Sequence, residues 1–346
     1  MSLHSLNDSL TSFFINPNYE KKTVDDLQKK ILPTYSFESL TPLSKPNPFH
    51  RFIGQFVITG SFIPTSTAIK KRKQVAKLIL KKKMGAWKLK RIALSIDGTY
   101  IDAMIIGTPN TLSNTIQKRW MLFSLGCADI YEFLLLKPAF FYQLQVLQTN
   151  CLIFNYPVTG NSLGYSHFEL IKRTYQTALS LLENVIHPNE IILWGLSIGG
   201  AIQAQVLLEH PFKEDIRYVS VKDRTFSILS KEMEALTLNF IGKLIRVSGW
   251  EMNSLSASLS LHIPEIILQT TKKKGEIISD GVIIAKTSLA RNLQNQGILF
   301  FNKEIFPLES KHSNTLLPTE LDRLSLRVEW YFARARIPLL VNRELC

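Results

Sequence analysis

A ten-residue passage, Ile191–Gly200, restricts the possible folds of this chain more than any other part of the sequence. It begins with four consecutive apolar residues, Ile191–Trp194, that are typical of a buried strand, and it leads into a run with helical spacing. Between them stands Ser197, with Gly195 and Gly199 two positions to either side. Glycines there let a strand and a helix approach closely around a strained serine. This G-x-S-x-G pattern predicts a nucleophile elbow, with a plain helix N-cap serine as the alternative.

Short apolar strands alternate with helical stretches from Leu89 onward. The dipeptide Asp97–Gly98 separates the first two strands and predicts a tight hairpin turn. The alternation predicts an α/β fold with a mostly parallel central sheet and helices on both faces, and the elbow indicates the α/β-hydrolase fold in particular. The predicted strands are Arg91–Ile96, Thr99–Ile106, Trp120–Ser124, Cys151–Asn155, Ile191–Trp194, Ile216–Val221, Glu265–Gln269 and Ile298–Phe301, and the predicted helices include Phe168–Leu182 and Ile198–Glu209.

The first 88 residues differ from the rest and predict an N-terminal extension, which leaves residues 89–346 for the α/β-hydrolase domain. Five prolines lie between Pro17 and Pro48, so long regular elements are not expected there. The uncharged stretch Phe52–Ile69 contains too many polar residues for a good membrane span, and we expect it to pack on the main domain.

The net charge of +13 is concentrated in one segment. Lys70–Arg91 contains eleven Lys or Arg residues and no acid, so the remainder of the chain carries only +2. Within residues 70–91 we predict a basic amphipathic helix that could contact an anionic membrane surface, with a solvated basic linker as the alternative. One basic run without a zinc, P-loop or RNA-binding motif does not favour a nucleic-acid partner.

The remaining composition favours a protein of a reducing compartment. The three cysteines, Cys127, Cys151 and Cys346, are too few and too scattered for a disulfide framework. The N-terminus shows no signal-peptide pattern, so we expect a cytoplasmic or peripheral membrane location, with export by a signal-less route left open. The sequence contains neither a metal-ligand constellation nor a G-x-G-x-x-G motif, so no metal and no cofactor are expected.

A serine hydroxyl needs a base to become a nucleophile, and the base needs an orienting carboxylate. In the α/β-hydrolase fold these follow one another in the order serine, acid, histidine. Of the seven histidines only His312 follows a late strand through a loop, so it is the predicted base. Asp280, after the strand Glu265–Gln269, is the predicted acid. Asp223 is the alternative acid, although its neighbour Arg224 suggests a structural ion pair instead.

An oxyanion hole in this fold combines two backbone N–H groups. The first would be that of Ile198, at the start of the helix after Ser197. The second would come from the loop after Trp120–Ser124, where Gly126 permits a close approach to substrate and Cys127 supplies the N–H group. Cys127 is also an alternative nucleophile, but we expect its thiol to be buried as a small apolar group.

With these features in place, the chain resembles the chlamydial CHLPS protein family, which is related to the α/β-hydrolases. The resemblance rests on Asp97–Gly98, Asn155–Ser162, the Ser197 elbow, Asp223–Ser227 and the region from Asp280 to His312. It implies a triad of Ser197, Asp280 and His312. The chain is also similar to the lid-poor branch of α/β-hydrolases that includes thioesterases, depalmitoylating enzymes and lysophospholipases.

Two functions remain in view at this point. The first is a serine hydrolase that cleaves a small acyl or ester substrate (an ester, a thioester or an amide) through an acyl-enzyme. The second is a catalytically degenerate α/β-hydrolase scaffold that serves as a membrane-associated or host-interaction protein. The second is suggested by two departures from the usual pattern: Leu125–Gly126 replaces a His-Gly pair, and no glycine precedes His312.

Overall fold

The structure, a computed structural model, describes residues 34–37, 43, 46–60, 86–113, 119–236, 239–272, 275–297 and 302–335. Its strands are β1 (Thr34–Phe37), β2 (Lys88–Ile96), β3 (Thr99–Gly107), β4 (Arg119–Ser124), β5 (Asn150–Phe154), β6 (Glu190–Leu196), β7 (Arg217–Asp223), β8 (Glu265–Thr270) and β9 (Lys303–Leu308). Its helices are α1 (Pro48–Thr59), α2 (Pro109–Ser113), α3 (Tyr131–Leu134), α4 (Pro138–Val146), α5 (Phe168–Leu181), α6 (Ile198–Leu207), α7 (Leu229–Leu236), α8 (Asn239–Ser248), α9 (Ser254–Ser260), α10 (Leu289–Asn295) and α11 (Pro318–Ala335). A π-helical turn, Leu182–Ile186, extends α5, and a 3₁₀ turn, Ala285–Thr287, precedes α10.

The described strands form one sheet in the order β1-β2-β3-β5-β4-β6-β7-β8-β9. Strand β3 runs antiparallel to both of its neighbours, and every other pair is parallel. Asp97 and Gly98, with φ of 47° and 77°, make the tight turn that the sequence predicted between β2 and β3. The mostly parallel sheet is thus confirmed, and the carboxyl ends of β4, β6, β7 and β8 meet at one edge, where functional groups are expected.

Apolar side chains fill both faces of the central strands, as a parallel sheet covered by helices requires. Every residue of β5 and β8 is buried, and so is every residue of β6 except Leu196. Helix α5 packs against α6 and β2, whereas α11 packs against α4 and β7. The strand predicted at Ile298–Phe301 falls largely outside the described residues, and β9 begins just beyond it, at Lys303.

Strand β1 and helix α1 lie within the predicted extension, and both pack against later parts of the chain. Strand β1 pairs in parallel with β2. Helix α1 buries Ile53 and Ile58, and a Cβ on its Gly54 would lie 2.1 Å from the ring of Trp250. Residues 61–85, which hold most of the basic segment, lie outside the described residues, so the helix predicted there stays a prediction. Within the described ranges, no helix has both the length and the apolar character needed to cross a bilayer.

Three helices, α7, α8 and α9, form an insertion between β7 and β8. A backbone bridge between Phe226 and Ser288 ties the start of this insertion to the segment that follows β8. Helix α8 packs on α1, where the Nδ1 atom of His50 lies 2.6 Å from the carbonyl oxygen of Ser248. Because the insertion leaves the carboxyl end of β7, it lies at the edge of the sheet where the predicted site residues are found.

Candidate active site

Ser197 occupies a sharp turn between the end of β6 and the first residue of α6. Its backbone has φ 54° and ψ −119°, a conformation that costs a non-glycine residue about 1–3 kcal/mol. The surroundings hold it there: the Ser197 N–H donates to the Asp223 carbonyl at 2.8 Å, and the Ser197 carbonyl accepts from the Gly200 N–H at 3.0 Å and the Thr225 hydroxyl at 3.1 Å. Within the described residues the serine side chain makes no hydrogen bond that caps α6, so a helix N-cap does not explain this position.

The two glycines beside Ser197 are required by contacts of backbone with backbone. A Cβ on Gly195 would lie 2.5 Å from the Cα of Gly200, and a Cβ on Gly199 would lie 2.3 Å from the carbonyl oxygen of Ser124. Rotation of a side chain could relieve neither clash. The contact of Gly199 also shows that the turn at Ser197 lies directly against the end of β4, where the predicted oxyanion loop begins.

His312 and Asp280 form a hydrogen-bonded pair at the ends of β9 and β8. The Nδ1 atom of His312 lies 3.0 Å from Oδ2 of Asp280, and the His312 N–H donates to the Asp280 carbonyl at 3.1 Å. The other carboxylate oxygen of Asp280 accepts from the N–H groups of Val282 (2.9 Å) and Ile283 (2.7 Å), which fixes the plane of the carboxylate. The Asp280 side chain is fully buried and that of His312 is 13% exposed. Since Nδ1 faces the acid, Nε2 is the ring nitrogen that can serve a serine.

Asp223 is bonded to Arg224 and not to the histidine. Its two carboxylate oxygens accept from Nε and Nη2 of Arg224 at 2.6 and 3.1 Å. The remaining guanidinium nitrogen of Arg224 donates to the carbonyl oxygens of Lys311 and Asn314, the latter at 3.0 Å. The buried ion pair therefore holds the loop that carries His312, and this is the structural role that the sequence offered for Asp223 as its alternative.

Ser197 and His312 are linked indirectly, through the backbone of Asp223 and the side chain of Arg224. Asp223 accepts the N–H of Ser197, and its neighbour Arg224 binds the loop of His312. Within the described residues no hydrogen bond joins the Ser197 hydroxyl to the imidazole. Ser197 and His312 thus lie at the same edge of the sheet, and both are held by Asp223–Arg224. Catalysis requires in addition a direct contact between the Ser197 hydroxyl and the imidazole.

The loop after β4 is held from two sides. The hydroxyl of Tyr156 lies 2.8 Å from the Ser124 hydroxyl and donates to the Leu125 carbonyl at 2.8 Å. On the other side, the N–H of Ala128 donates to the carbonyl of Ile58 in α1, also at 2.8 Å. A segment from the predicted extension therefore fixes the conformation of the candidate oxyanion loop, a role that the sequence did not reveal.

The two predicted oxyanion donors lie on segments that contact each other. Ile198 is the first residue of α6, where N–H groups have no partner inside the helix. Cys127 lies on the turn between β4 and α3, against which Gly199 packs through Leu125. The expectation of a buried Cys127 thiol is wrong: the residue is exposed, because it lies at a surface turn whose next residue, Ala128, has φ 63°.

A buried polar cluster directly after this loop was not foreseen from the sequence. Asp102 accepts hydrogen bonds from Arg91 at 2.5 and 2.6 Å and from the Tyr131 hydroxyl at 2.9 Å. Glu132 is 1% exposed and accepts from the amide of Asn155 at 3.1 Å. Burial raises the pKa of Glu132 to about 7, and the negative charge of Asp102 adds to the rise. Its members come from distant parts of the chain, so no local pattern announces the cluster.

Glu232 is another buried carboxylate, close to the paired Asp280 and His312. It belongs to α7 and accepts from the N–H of Ile284 at 3.1 Å and from the Thr287 hydroxyl. Burial raises the pKa of Glu232, and the charge of Asp280 adds to the rise. The hydrogen bond from Thr287 lowers this pKa, and so does the interaction with His312. Glu232 therefore ties the insertion to the loop that follows Asp280.

The sheet order and the strained serine at the end of β6 define the α/β-hydrolase fold. Solved structures that share it include an α/β-hydrolase from Vibrio vulnificus (TM-score 0.55, 15% identity, 92% of this chain and 98% of that chain covered). An esterase from Pyrococcus furiosus, Pf2001, gives a TM-score of 0.52 at 14% identity, with 72% of this chain and 90% of that chain covered. A fungal esterase from Rhizomucor miehei gives 0.51 at 12% identity, with 84% and 99% covered. At these identities the likeness shows the fold alone.

The chain belongs to the family described as Chlamydia CHLPS protein (DUF818), whose model matches residues 56–332. That range spans most of the chain, from within α1 to the second half of α11. The family resemblance drawn from the sequence is therefore confirmed, together with the α/β-hydrolase fold. Among curated proteins, no sequence matches this chain at a significant level.

Proposed function

We propose that this protein is a serine hydrolase that cleaves an ester, a thioester or an amide of a small acyl substrate through an acyl-enzyme. The observation that carries the proposal is the strained backbone of Ser197 at the carboxyl end of β6. Strain of this kind persists only where the surrounding structure enforces it, and it is typical of functional sites. The paired Asp280 and His312 at the same edge of the sheet supply the kind of base that a serine nucleophile requires.

In the proposed mechanism, Ser197 Oγ attacks the carbonyl carbon of the substrate while Nε2 of His312 accepts the hydroxyl proton. Asp280 holds the Nδ1–H of the imidazole and stabilises the imidazolium that forms. The N–H groups of Ile198 and Cys127 stabilise the oxyanion. His312 then protonates the leaving group, and a water molecule, activated by the same imidazole, hydrolyses the acyl-enzyme to release the acid.

A fluorophosphonate probe, which reacts covalently with activated serines, tests the proposal directly. We expect the wild-type protein to be labelled and Ser197→Ala to be unlabelled. Ser256→Ala, an exposed serine on α9, is the matched control and should be labelled like the wild type. Equal labelling of wild type and Ser197→Ala would contradict the assignment of the nucleophile, and peptide mapping of the adduct identifies the serine that reacted.

A catalytically degenerate scaffold is the second candidate function. It is favoured by the missing hydrogen bond between the Ser197 hydroxyl and His312 within the described residues. Catalytic hydrogen bonds are often long in proteins without substrate, so this geometry is compatible with both candidates. The probe separates them: a folded wild-type protein that remains unlabelled after prolonged exposure supports the scaffold and contradicts the hydrolase.

A further inference from the structure

Apolar side chains are exposed on α1 and α8, two helices that pack against each other. Val247 is 81% exposed, the highest value among the large apolar side chains described, and Phe240 on the same helix is 52% exposed. Phe49 on α1 is 41% exposed. We call these three residues, together with Arg51 and Lys243, the α1–α8 face. On α8, Phe240, Lys243 and Val247 are spaced three and four residues apart and so share one side of the helix. Exposed apolar side chains on one side of a helix are typical of a binding surface.

The charges that belong to these two helices are all basic. Helix α1 carries Arg51, helix α8 carries Lys243 and Arg246, and neither helix contains an acid. Arg246 is paired with Glu234 of α7 at 2.5 Å, whereas no ion pair of Arg51 or Lys243 occurs among the described residues. In the sequence, residues 61–85, which lie outside the described part of the chain, add eight Lys or Arg and no acid after α1.

Other charged groups lie next to the α1–α8 face without cancelling its positive charge. Glu169, at the start of α5, acts on the nearby His50 of α1, but it is itself paired with Lys172 at 2.7 Å. The guanidinium of Arg51 lies 4.7 Å from the centre of the Tyr165 ring, a contact that leaves its charge in place. The face therefore combines exposed apolar groups with a net positive charge.

Both helices of the face are joined to the loops of the candidate active site. In α1, the Ile58 carbonyl accepts the N–H of Ala128 from the candidate oxyanion loop at 2.8 Å. Helix α8 belongs to the same insertion as α7, whose Glu232 accepts the N–H of Ile284 from the loop after Asp280. These hydrogen bonds thus link α1 and the insertion that contains α8 to the loops of Cys127 and Asp280.

We propose that the α1–α8 face docks the protein on an anionic lipid bilayer. A bilayer offers hydrocarbon to Val247 and Phe240 and negative headgroups to Lys243 and Arg51, so one partner satisfies both properties of the face. A nucleic acid offers negative charge but no apolar interior for exposed Val and Phe side chains. Docking does not require catalysis. If the protein also has the proposed hydrolase function, docking implies that its substrate is an acyl ester taken from the bilayer.

Co-sedimentation of the full chain with phosphatidylcholine vesicles, with and without phosphatidylserine, measures this docking. We expect binding to the vesicles that contain phosphatidylserine, and we expect it to weaken as salt is raised. The double variant Phe240→Ser/Val247→Ser and the variant Lys243→Glu should each lower the partition coefficient by about tenfold. Leu326→Ser on α11, where the leucine is 69% exposed, is the matched control and should bind like the wild type.

Two outcomes would overturn the bilayer as the partner. If the face variants bind vesicles as well as the wild type does, the α1–α8 face is not the docking surface, whichever other segment carries the binding. If wild-type binding ignores phosphatidylserine and salt, the charges of the face play no part. Self-association in analytical ultracentrifugation that Val247→Ser abolishes would assign the face to a second copy of the chain, and it would likewise contradict the proposal.

The variant Ser197→Ala separates docking from catalysis. It should bind vesicles like the wild type while losing fluorophosphonate labelling. Docking without labelling of the wild type contradicts the hydrolase and leaves the bilayer proposal standing. Labelling without docking contradicts the bilayer and leaves the hydrolase standing.

Discussion

Arg224 binds the backbone on both sides of His312: its guanidinium donates to the carbonyl oxygens of Lys311 and Asn314. The same side chain is paired with the buried carboxylate of Asp223, whose carbonyl accepts the N–H of Ser197. One dipeptide at the end of β7 therefore contacts both the strained serine and the loop of the imidazole. If the site is catalytic, its geometry depends on a residue that touches no substrate.

Replacement of Arg224 by lysine tests this dependence. Lysine keeps the positive charge beside Asp223 but lacks the planar guanidinium that reaches four acceptor oxygens at once, so the His312 loop loses its anchors. We expect the rate of fluorophosphonate labelling to fall by about tenfold or more while the chain stays folded. Arg224→Met should also unfold more easily, by about 3–5 kcal/mol in urea denaturation, because Asp223 is left buried and unpaired. Wild-type labelling kinetics in Arg224→Lys would contradict the positioning role.

Asn substitutions at Asp280 and Asp223 should have opposite effects. Asp280→Asn presents an amide to Nδ1 of His312 and favours the wrong imidazole tautomer, so labelling should slow by about 10³–10⁴-fold with little change in stability. Asp223→Asn leaves Arg224 buried without its counter-charge, so its main effect should be a lower free energy of unfolding. Its labelling rate should fall less than that of Asp280→Asn. Labelling kinetics and urea denaturation of both variants check the pair. The reverse pattern would show that Asp223 is the functional acid.

The parts of the fold that the sequence predicts correctly are those that depend on residues close together in the chain. A run of apolar residues followed by a glycine–serine–glycine turn locates β6 and α6, and Asp97–Gly98 locates the hairpin. Asp280 and His312 each follow a late strand, and the topology of a parallel sheet brings such loops together. Strand order alone leaves Asp223, at the end of β7, as a second candidate acid, and the contact of His312 with Asp280 is seen only in the structure.

The parts that the sequence did not reveal depend on contacts between distant residues. The Ile58 carbonyl that holds Ala128, and the Asn155 amide that binds Glu132, belong to segments with no distinguishing pattern of their own. The prediction of a buried Cys127 is wrong for a similar reason, since exposure at a turn depends on how the loop is folded over the sheet. Secondary-structure propensities and the spacing of apolar residues do not predict contacts between such distant segments.

Alanine substitutions at two glycines should distinguish a backbone clash from a tolerant position. A Cβ on Gly199 would lie 2.3 Å from the Ser124 carbonyl oxygen, so Gly199→Ala must push α6 away from β4 and should cost about 3 kcal/mol or more. At Gly126 the nearest atom would be a side-chain oxygen of Asp129 at 3.3 Å, which can move aside. Gly126→Ala should therefore unfold close to the wild-type temperature. Thermal denaturation of both variants decides the matter, and equal melting temperatures would contradict the close approach at the elbow.

Glu132 should make stability depend on pH around neutrality. Its pKa in the folded chain is raised from 4.5 to about 7, first by burial and then by Asp102, so the folded state holds a proton that the unfolded state has already lost. Stability from this group is therefore present at low pH and is lost as the pH rises between about 4.5 and 7, by about 3 kcal/mol in total. Glu132→Gln keeps a neutral hydrogen-bond acceptor for Asn155 at every pH, so the variant should exceed the wild type in stability at pH 8 and match it near pH 5. Urea denaturation at both pH values measures the difference, and the exposed Glu214→Gln is the control that should follow the wild type. A Glu132→Gln variant with the same pH dependence as the wild type would show that the pKa of Glu132 is not raised in the folded chain.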